Sequence, residues 1–434
     1  MTAQAQNVQI PDGWYVRRLK FIASCNDEAL SETTDPALEI DYVDISSVEL
    51  EVGIKSVDRL PFDEAPSRAR RIARDGDTIV STVRTYLKAI AAIRDPSPDL
   101  VVSTGFAVLR PTQDLDGRFL AYALQASSFV DAVVANSTGV SYPAINPSEL
   151  VCLPILFPHD KGTQGRIADF LDWKTTQIDA LIAKKRALIE RLKEKRLAVI
   201  TQAVTKGLAP DTSLRNSCIP WLASIPVNWK TPPLSYRYSV ELGKMLDEKR
   251  ITRDALVPYL RNVDVQWDSI NFDDLPEMDI SEAEYDRYTV ASGDILVCEG
   301  GEVGRCAIVH ETRSVIGFQK ALHRLRPLTS DEDPRFMYYS LFWAASSGIF
   351  NIESASTIAH LTAEQLRRYR LPQPSFGEQQ EIARFLDQQQ GKWSRLLLKA
   401  AEVIERLLEY RSALITAAVT GKLDVPRHDI HATA

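Results

Sequence analysis

"ITQAVTKGL" (200–208) and "ITAAVTGKL" (415–423) are one helix ending written twice, 215 residues apart. The likeness runs upstream at the same offset. "IERLKEKR" (189–196) faces "IERLLEYR" (404–411), and "QGRIADFLD" (164–172) faces "QQEIARFLD" (379–387). Near the front, "IPDGW" (10–14) faces "IPVNW" (225–229). The chain reads as two copies of one long unit.

Each copy has a front part and a back part of different character. In the first front, "EIDYVDISSVELEVG", "GDTIVSTV", "AIAAI" and "STGFAVLRP" are short Val/Ile/Tyr-rich runs bounded by Gly, Pro and Asp, which predicts strands. The second front repeats the order with "VPYLRNVDVQW", "GDILVCEGG", "CAIV" and "ALHRLRP". A helix is predicted over 118–133 in one copy and 335–350 in the other. The offset drifts to about 217 there, which implies loop insertions. Strands followed by a few helices indicate an α+β domain of roughly 160 residues.

The back parts carry apolar residues at three- and four-residue intervals. They are Ile178, Leu181, Ile182, Leu188, Leu192 and Ile200 in one, and Trp393, Leu396, Val403, Leu407, Leu414 and Ile415 in the other. This spacing predicts two amphipathic helices, each of about 33 residues or roughly 50 Å, with Gly207 and Gly421 placed to cap them. A lone stripe cannot bury itself, so the helices are expected to pair as an intramolecular coiled coil, antiparallel by the two-fold logic of a repeat. The resulting expectation is a dumbbell. Arg196 and Arg411 interrupt the stripe at matched places. Either they snorkel to water, or they fix register or meet a partner's acids.

The 434 residues exceed what one core usually serves. No basic start followed by an apolar run marks a secretory signal, and no stretch approaches ~18 uninterrupted apolar residues, so a cytoplasmic protein without a membrane span is expected. Five cysteines without a C-x-x-C pair fit a reducing compartment, and six scattered histidines predict no metal. The net charge is −7, and residues 1–160 hold 14 Lys/Arg against 22 Asp/Glu. A nucleic-acid binder with this balance must use small cationic loops, or partners that supply charge.

No catalytic motif stands out. There is no P-loop, no G-x-S-x-G elbow, and no N-P-P-[FY], since "NPSEL" (146–150) lacks the stacking aromatic. "EGGEVGR" (299–305) reads as a tight turn or as a loop offering N–H groups to phosphates.

"SYPAINPSELVCLPILFP", "IADFLD…IERLKEKRLAVITQAVTKGL" and "LTAEQLRRYRLPQPSFGEQQEIARFLD…ITAAVTGKLDV" together resemble the specificity (S) subunits of type I restriction–modification systems. The resemblance spans nearly the whole chain. The first copy departs at "PHDKGTQGRIADFLD", which keeps Gln164 without a preceding Glu. The resemblance implies two α+β target-recognition domains, 1–163 and 211–378. Helical regions at 164–210 and 379–425 would pair antiparallel with pseudo-two-fold symmetry, before a disordered tail at 426–434. It further implies a non-catalytic chain that reads an asymmetric bipartite site in double-stranded DNA and docks two methyltransferase (M) subunits and restriction (R) subunits. No cofactor is expected in this chain. S-adenosylmethionine, ATP and Mg would belong to the partners.

Base readout needs Arg or Lys for guanine, Asn or Gln for adenine, and small polar groups in a groove. The candidates in the first copy are Arg84, Thr85, Tyr86 and Lys88, with Asn136, Ser137, Thr138, Ser141 and Tyr142. Arg68, Arg70 and Arg71 in "RARRIAR" (68–74) are phosphate candidates or else a solvated helix face. In the second copy they are Glu302, Arg305, Gln319, Lys320, Ser356, Thr357 and His360. Ile178, Leu181, Leu188, Leu192, Arg196, Trp393, Leu396, Val403, Leu407 and Arg411 are the expected coiled-coil and partner-binding positions. Two other readings compete. One is a coiled-coil adaptor with no sequence preference on DNA. The other is a stand-alone nuclease using acids such as Asp294 or Glu299.

Overall fold

The computed structural model describes residues 10–139, 141–246, 254–312, 314–351 and 360–425, so the expected tail at 426–434 lies outside the described residues. The chain divides into two compact units, 1–187 with 400–434, and 188–399.

In the first unit the apolar run Thr78–Ser81 is buried at every position and lies between Phe106–Pro111 and Ile90–Ala92, with Ala23–Cys25 outermost. A second sheet runs Asp58–Pro61, Glu39–Val43, Leu100–Ser103, Ala69–Ile72, in which Leu100–Ser103 lies parallel to Glu39–Val43. The second unit repeats both. Ile295–Cys298 lies between Leu322–Pro327 and Cys306–Ile308, with Tyr238–Leu242 outermost, and Leu256–Leu260 is parallel to Gly317–Phe318. The frames share a buried clamp. Asp77 takes two bonds from Arg110, both 2.9 Å, as Asp294 does from Arg326 at 2.8 and 2.7 Å. Both oxygens of Asp294 are therefore engaged in the clamp.

Two local expectations are corrected. "RARRIAR" is not a helix face: Ala69–Ile72 is a strand, because Val101 and Val102 offer it an antiparallel neighbour. The helix expected over 118–133 is two, Gly117–Gln125 and Ser127–Ala135, broken where Ala126 turns to ψ 140°. Its counterpart is Pro334–Ser346, followed by a turn at Ile349–Asn351.

The long helices are Lys161–Lys206 and Phe376–Val419, 46 and 44 residues, longer than the periodic stripe suggested. The first begins early because Asp160 accepts from the Thr163 and Gly162 amides at 2.8 and 3.2 Å. Gly207 and Gly421, at φ +79° and +68°, close the two ends as expected. Gln164 and Gln379 explain the repeated signature. Each is buried, accepts from the Asp116 or Asp333 amide (2.7 and 3.0 Å), and donates to the Pro158 or Pro374 carbonyl (2.9 and 3.0 Å). Each sheet unit is thus bolted to a helix start. The Glu missing from the first copy has a use in the second: Glu378 accepts from Trp229 Nε1 at 3.0 Å.

In the first unit the start of the first long helix shares a core with the end of the second, through Ile178, Ile182, Leu414, Ile415 and Val419. In the second unit the roles reverse, through Ile200, Val204, Ile382, Leu386 and Trp393. Start against end in both units is antiparallel pairing, as expected. The seam is narrower than the predicted stripe. Ile178 and Trp393 are buried and Leu192 and Leu407 half-buried, but Leu181, Leu188, Leu396 and Val403 are exposed by 41, 42, 50 and 37%. Periodicity marks a stripe without saying how much of it the partner covers.

The matched arginines do not snorkel. Arg411 donates to both oxygens of Asp179 at 3.0 and 3.3 Å, across the helix pair. Among the described residues Arg196 has no such acid, and it stacks on Phe342, 4.7 Å from the ring centre, where burial lowers its pKa.

Candidate nucleic-acid interface

In the first unit the turn after Thr78–Ser81 carries a short 3-10 helix, Thr85–Leu87, flanked by Arg84 and Lys88 at φ +49° and +53°. Left-handed non-glycine residues cost about 1 kcal/mol or more each and persist only where surroundings hold them. Here buried Thr85 does the holding. Its Oγ1 lies 2.8 Å from Ser137 Oγ, which itself donates to the Val133 carbonyl at 2.8 Å. Thr85 N donates to the Pro143 carbonyl at 3.3 Å, and Ala144 bridges both Val83 and Thr138.

Most of the sequence candidates of the first copy therefore meet at one place. Arg84 lies over the ring of Tyr142 at 5.0 Å, and Tyr86 and Tyr142 are 52 and 66% exposed. Lys88, Thr138 and Ser141 are exposed beside them, while Asn136 is spent closing its helix on the Ala132 carbonyl at 2.8 Å. Among the described residues no carboxylate pairs with Arg84 or Lys88, although Arg59, Arg74, Arg94, Arg110 and Arg118 of the same unit all have one. A flat guanidinium on an aromatic ring, with free cations beside exposed tyrosines, suits phosphates and base edges.

The "RARRIAR" arginines differ from one another. Arg68 is exposed but tied to Asp44 at 2.9 Å, and its carbonyl accepts from Thr104, next to the Gly105 that bonds Thr82. That places it beside the turn. Arg70 lies over Phe62 at 4.6 Å, and Arg71 is half-buried with its pKa lowered by desolvation.

In the second unit "EGGEVGR" is the hairpin turn between Ile295–Cys298 and Cys306–Ile308. Gly304, at φ +83°, must be glycine, since a Cβ would stand 2.5 Å from the Phe350 ring. Asn262 gathers the loops. It donates to the Gly300 carbonyl at 3.1 Å, and its Oδ1 accepts from Arg305 at 2.8 Å, turning that candidate inward. Glu302 is exposed and accepts from Trp267 Nε1 at 2.6 Å. The Glu299 amide bonds the Ala321 carbonyl and Leu361 N bonds the Glu299 carbonyl, so half-buried Gln319, exposed Lys320 and exposed His360 border the same turn. Ser356 and Thr357 lie outside the described residues. Asn262 and Trp267 escaped sequence reasoning because their partners come from other strands. An indole in a polar stretch was the only local signal.

The residues 239–399 match the family model described as the type I restriction modification DNA specificity domain. The chain is 23% identical over 317 residues to the specificity subunit of the Escherichia coli type I restriction enzyme EcoBI, covering 70% of this chain and 65% of that one. It is 22% identical over 324 residues to the EcoKI specificity subunit of E. coli strain K12, covering 73% and 68%. The first match thus spans a little under two thirds of its relative. Among solved structures, a chain from a study of complex assembly and conformational transition of the type I restriction–modification system superposes with TM-score 0.74 at 22% identity, over 96% of this chain and all of that one. The HsdS subunit of Thermoanaerobacter tengcongensis superposes at 0.50 and 21%, over 96% and 99%. A matching domain model over residues 239–399, two curated relatives and a shared fold over nearly its full length make the chain similar to the specificity subunits of type I restriction–modification systems.

Proposed function

We propose that the chain is the non-catalytic DNA-specificity subunit of a type I restriction–modification complex, reading an asymmetric bipartite site in double-stranded DNA. The observation that carries this is one frame built twice, with unlike chemistry at the same hairpin turn: Arg84, Tyr86 and Lys88 in one unit, Glu302 and glycines in the other. Equal frames hold, and unlike tips read unlike half-sites.

Docking of two methyltransferase subunits and of restriction subunits fits the exposed apolar residues left on the long helices, Leu181, Leu188, Leu396 and Val403. S-adenosylmethionine, ATP and Mg would sit on those partners, in a prokaryotic cytoplasm. Among the described residues no helix is long and apolar enough to cross a membrane.

The test is to co-express the chain with the methyltransferase subunit of its own system and map methylated adenines across a genome. A two-part motif with a constant gap is expected. Scattered or absent methylation would overturn the proposal.

A further inference from the structure

The turn of the second unit carries an anomaly for a DNA-facing surface: an exposed carboxylate held in place. Glu302 is 56% exposed, yet Trp267 Nε1 donates to its Oε1 at 2.6 Å, and Arg305 stands 3.6 Å from its Oε2. Arg305 is itself fixed by Asn262, and Trp267 by edge-to-face packing on Phe342 at 4.9 Å. The side chain is ordered before any ligand arrives.

A carboxylate only accepts hydrogen bonds, and it repels phosphates at contact distance. It therefore gains nothing from a DNA backbone. Bases offer it an amino group in the major groove, and Glu or Asp pairs there with N4 of cytosine. One hydrogen bond from Trp267, with Arg305 as an ion-pair neighbour at 3.6 Å, leaves acceptor capacity on the two oxygens. Exposed Lys320 borders the turn and brings a cation beside the carboxylate, which offsets repulsion from flanking phosphates. The first unit carries the opposite sign at the corresponding turn, with Arg84 and Lys88.

We infer that Glu302 is a specificity-determining residue that accepts a hydrogen bond from the exocyclic amino group of a cytosine in the half-site read by the second unit. This rests on the proposed function, and the test separates the two. The assembled complex with its methyltransferase subunit is prepared as wild type and as Glu302→Gln. The amide oxygen keeps an acceptor for Trp267, so a purely structural role survives, while the new NH2 favours adenine. Methylome mapping should show one cytosine position of one half-site relaxed or shifted toward adenine, by on the order of tenfold or more, with the other half-site and the gap unchanged.

In parallel, the wild-type complex is bound to duplexes in which each cytosine of that half-site is replaced in turn by its 4-deamino analogue. One position should lose affinity, and Glu302→Gln should lose nothing further there. A wild-type two-part motif that Glu302→Gln leaves unaltered, or deamination without effect at every position, overturns the role of Glu302 and leaves the proposed function standing. A wild type with no two-part motif takes down both.

Discussion

Arg237 and Glu332 form an ion pair with each side chain 1% exposed, inside the second unit. Arg237 donates from Nε and Nη2 to the two carboxylate oxygens at 2.8 and 2.6 Å, and from Nη1 to the Leu371 and Pro372 carbonyls at 3.4 and 3.2 Å. Gln373 adds a bond to Glu332 Oε1 at 2.7 Å. Arg237→Ala leaves a buried carboxylate with one amide partner and strands two carbonyls. Breaking such a pair costs about 3–5 kcal/mol, because the remaining charge stays out of water. Replacing both partners, Arg237→Met with Glu332→Leu, removes the charges together and should recover most of that loss.

The assay is urea unfolding followed by tryptophan fluorescence. It reports mainly on this unit, since Trp221, Trp229, Trp267, Trp343 and Trp393 lie within it and only Trp14 and Trp173 outside. With a slope of about 3 kcal/mol per molar urea, the midpoint of Arg237→Ala should fall by roughly 1–1.7 M. An unshifted midpoint, or a double variant worse than the single one, would refute the reasoning, for it would mean that water reaches the pair.

Two further outcomes are expected. Asp179→Ala or Arg411→Ala should cost about 1 kcal/mol in the first unit, with a coupling of about 0.5–1 kcal/mol in a double-mutant cycle, modest because Asp179 is 42% exposed. Hydrogen exchange of the paired helix amides measures it, and zero coupling would return Arg411 to a solvated role. Hydrogen bonds from Arg74 and Arg110 pull the Glu28 carboxyl down to about 2. A carboxyl depressed in the folded state stabilises above its unfolded pKa of about 4.3 and loses that contribution as pH falls toward 2. Thermal melts between pH 5 and pH 2.5 should therefore decline less steeply in Glu28→Gln than in the wild type.

The repeat, the helix ends and the strand order were legible because each rests on local chemistry. Gly207 and Gly421 cap helices by backbone geometry alone, and "GDTIV" and "GDILV" are strands in both copies because their apolar faces are buried alike. What escaped depends on residues far apart in sequence. The outline of the seam was hidden because the sheet units, as well as the partner helix, cover parts of each stripe. Strand Ala69–Ile72 was hidden because its neighbour is supplied from residue 101 onward. At the candidate interface the sequence named Arg84, Tyr86 and Tyr142, which converge, but could not tell Arg84 from Arg305. The first lies open with no acid partner among the described residues, and the second is turned onto Asn262.

The first unit is finished only by residues from 400 onward. Residues 400–434 belong with 1–187, with Thr416 accepting from the Ser127 amide at 3.0 Å and Gly421 set against Trp14. The unit at 188–399 is by contrast unbroken in sequence. On the ribosome the order of birth and the order of maturation are therefore inverted. The half synthesised first must wait, its core open, for the residues beyond 400 to emerge. A nonsense codon near position 400 would leave the later-made half whole and the earlier one permanently unfinished.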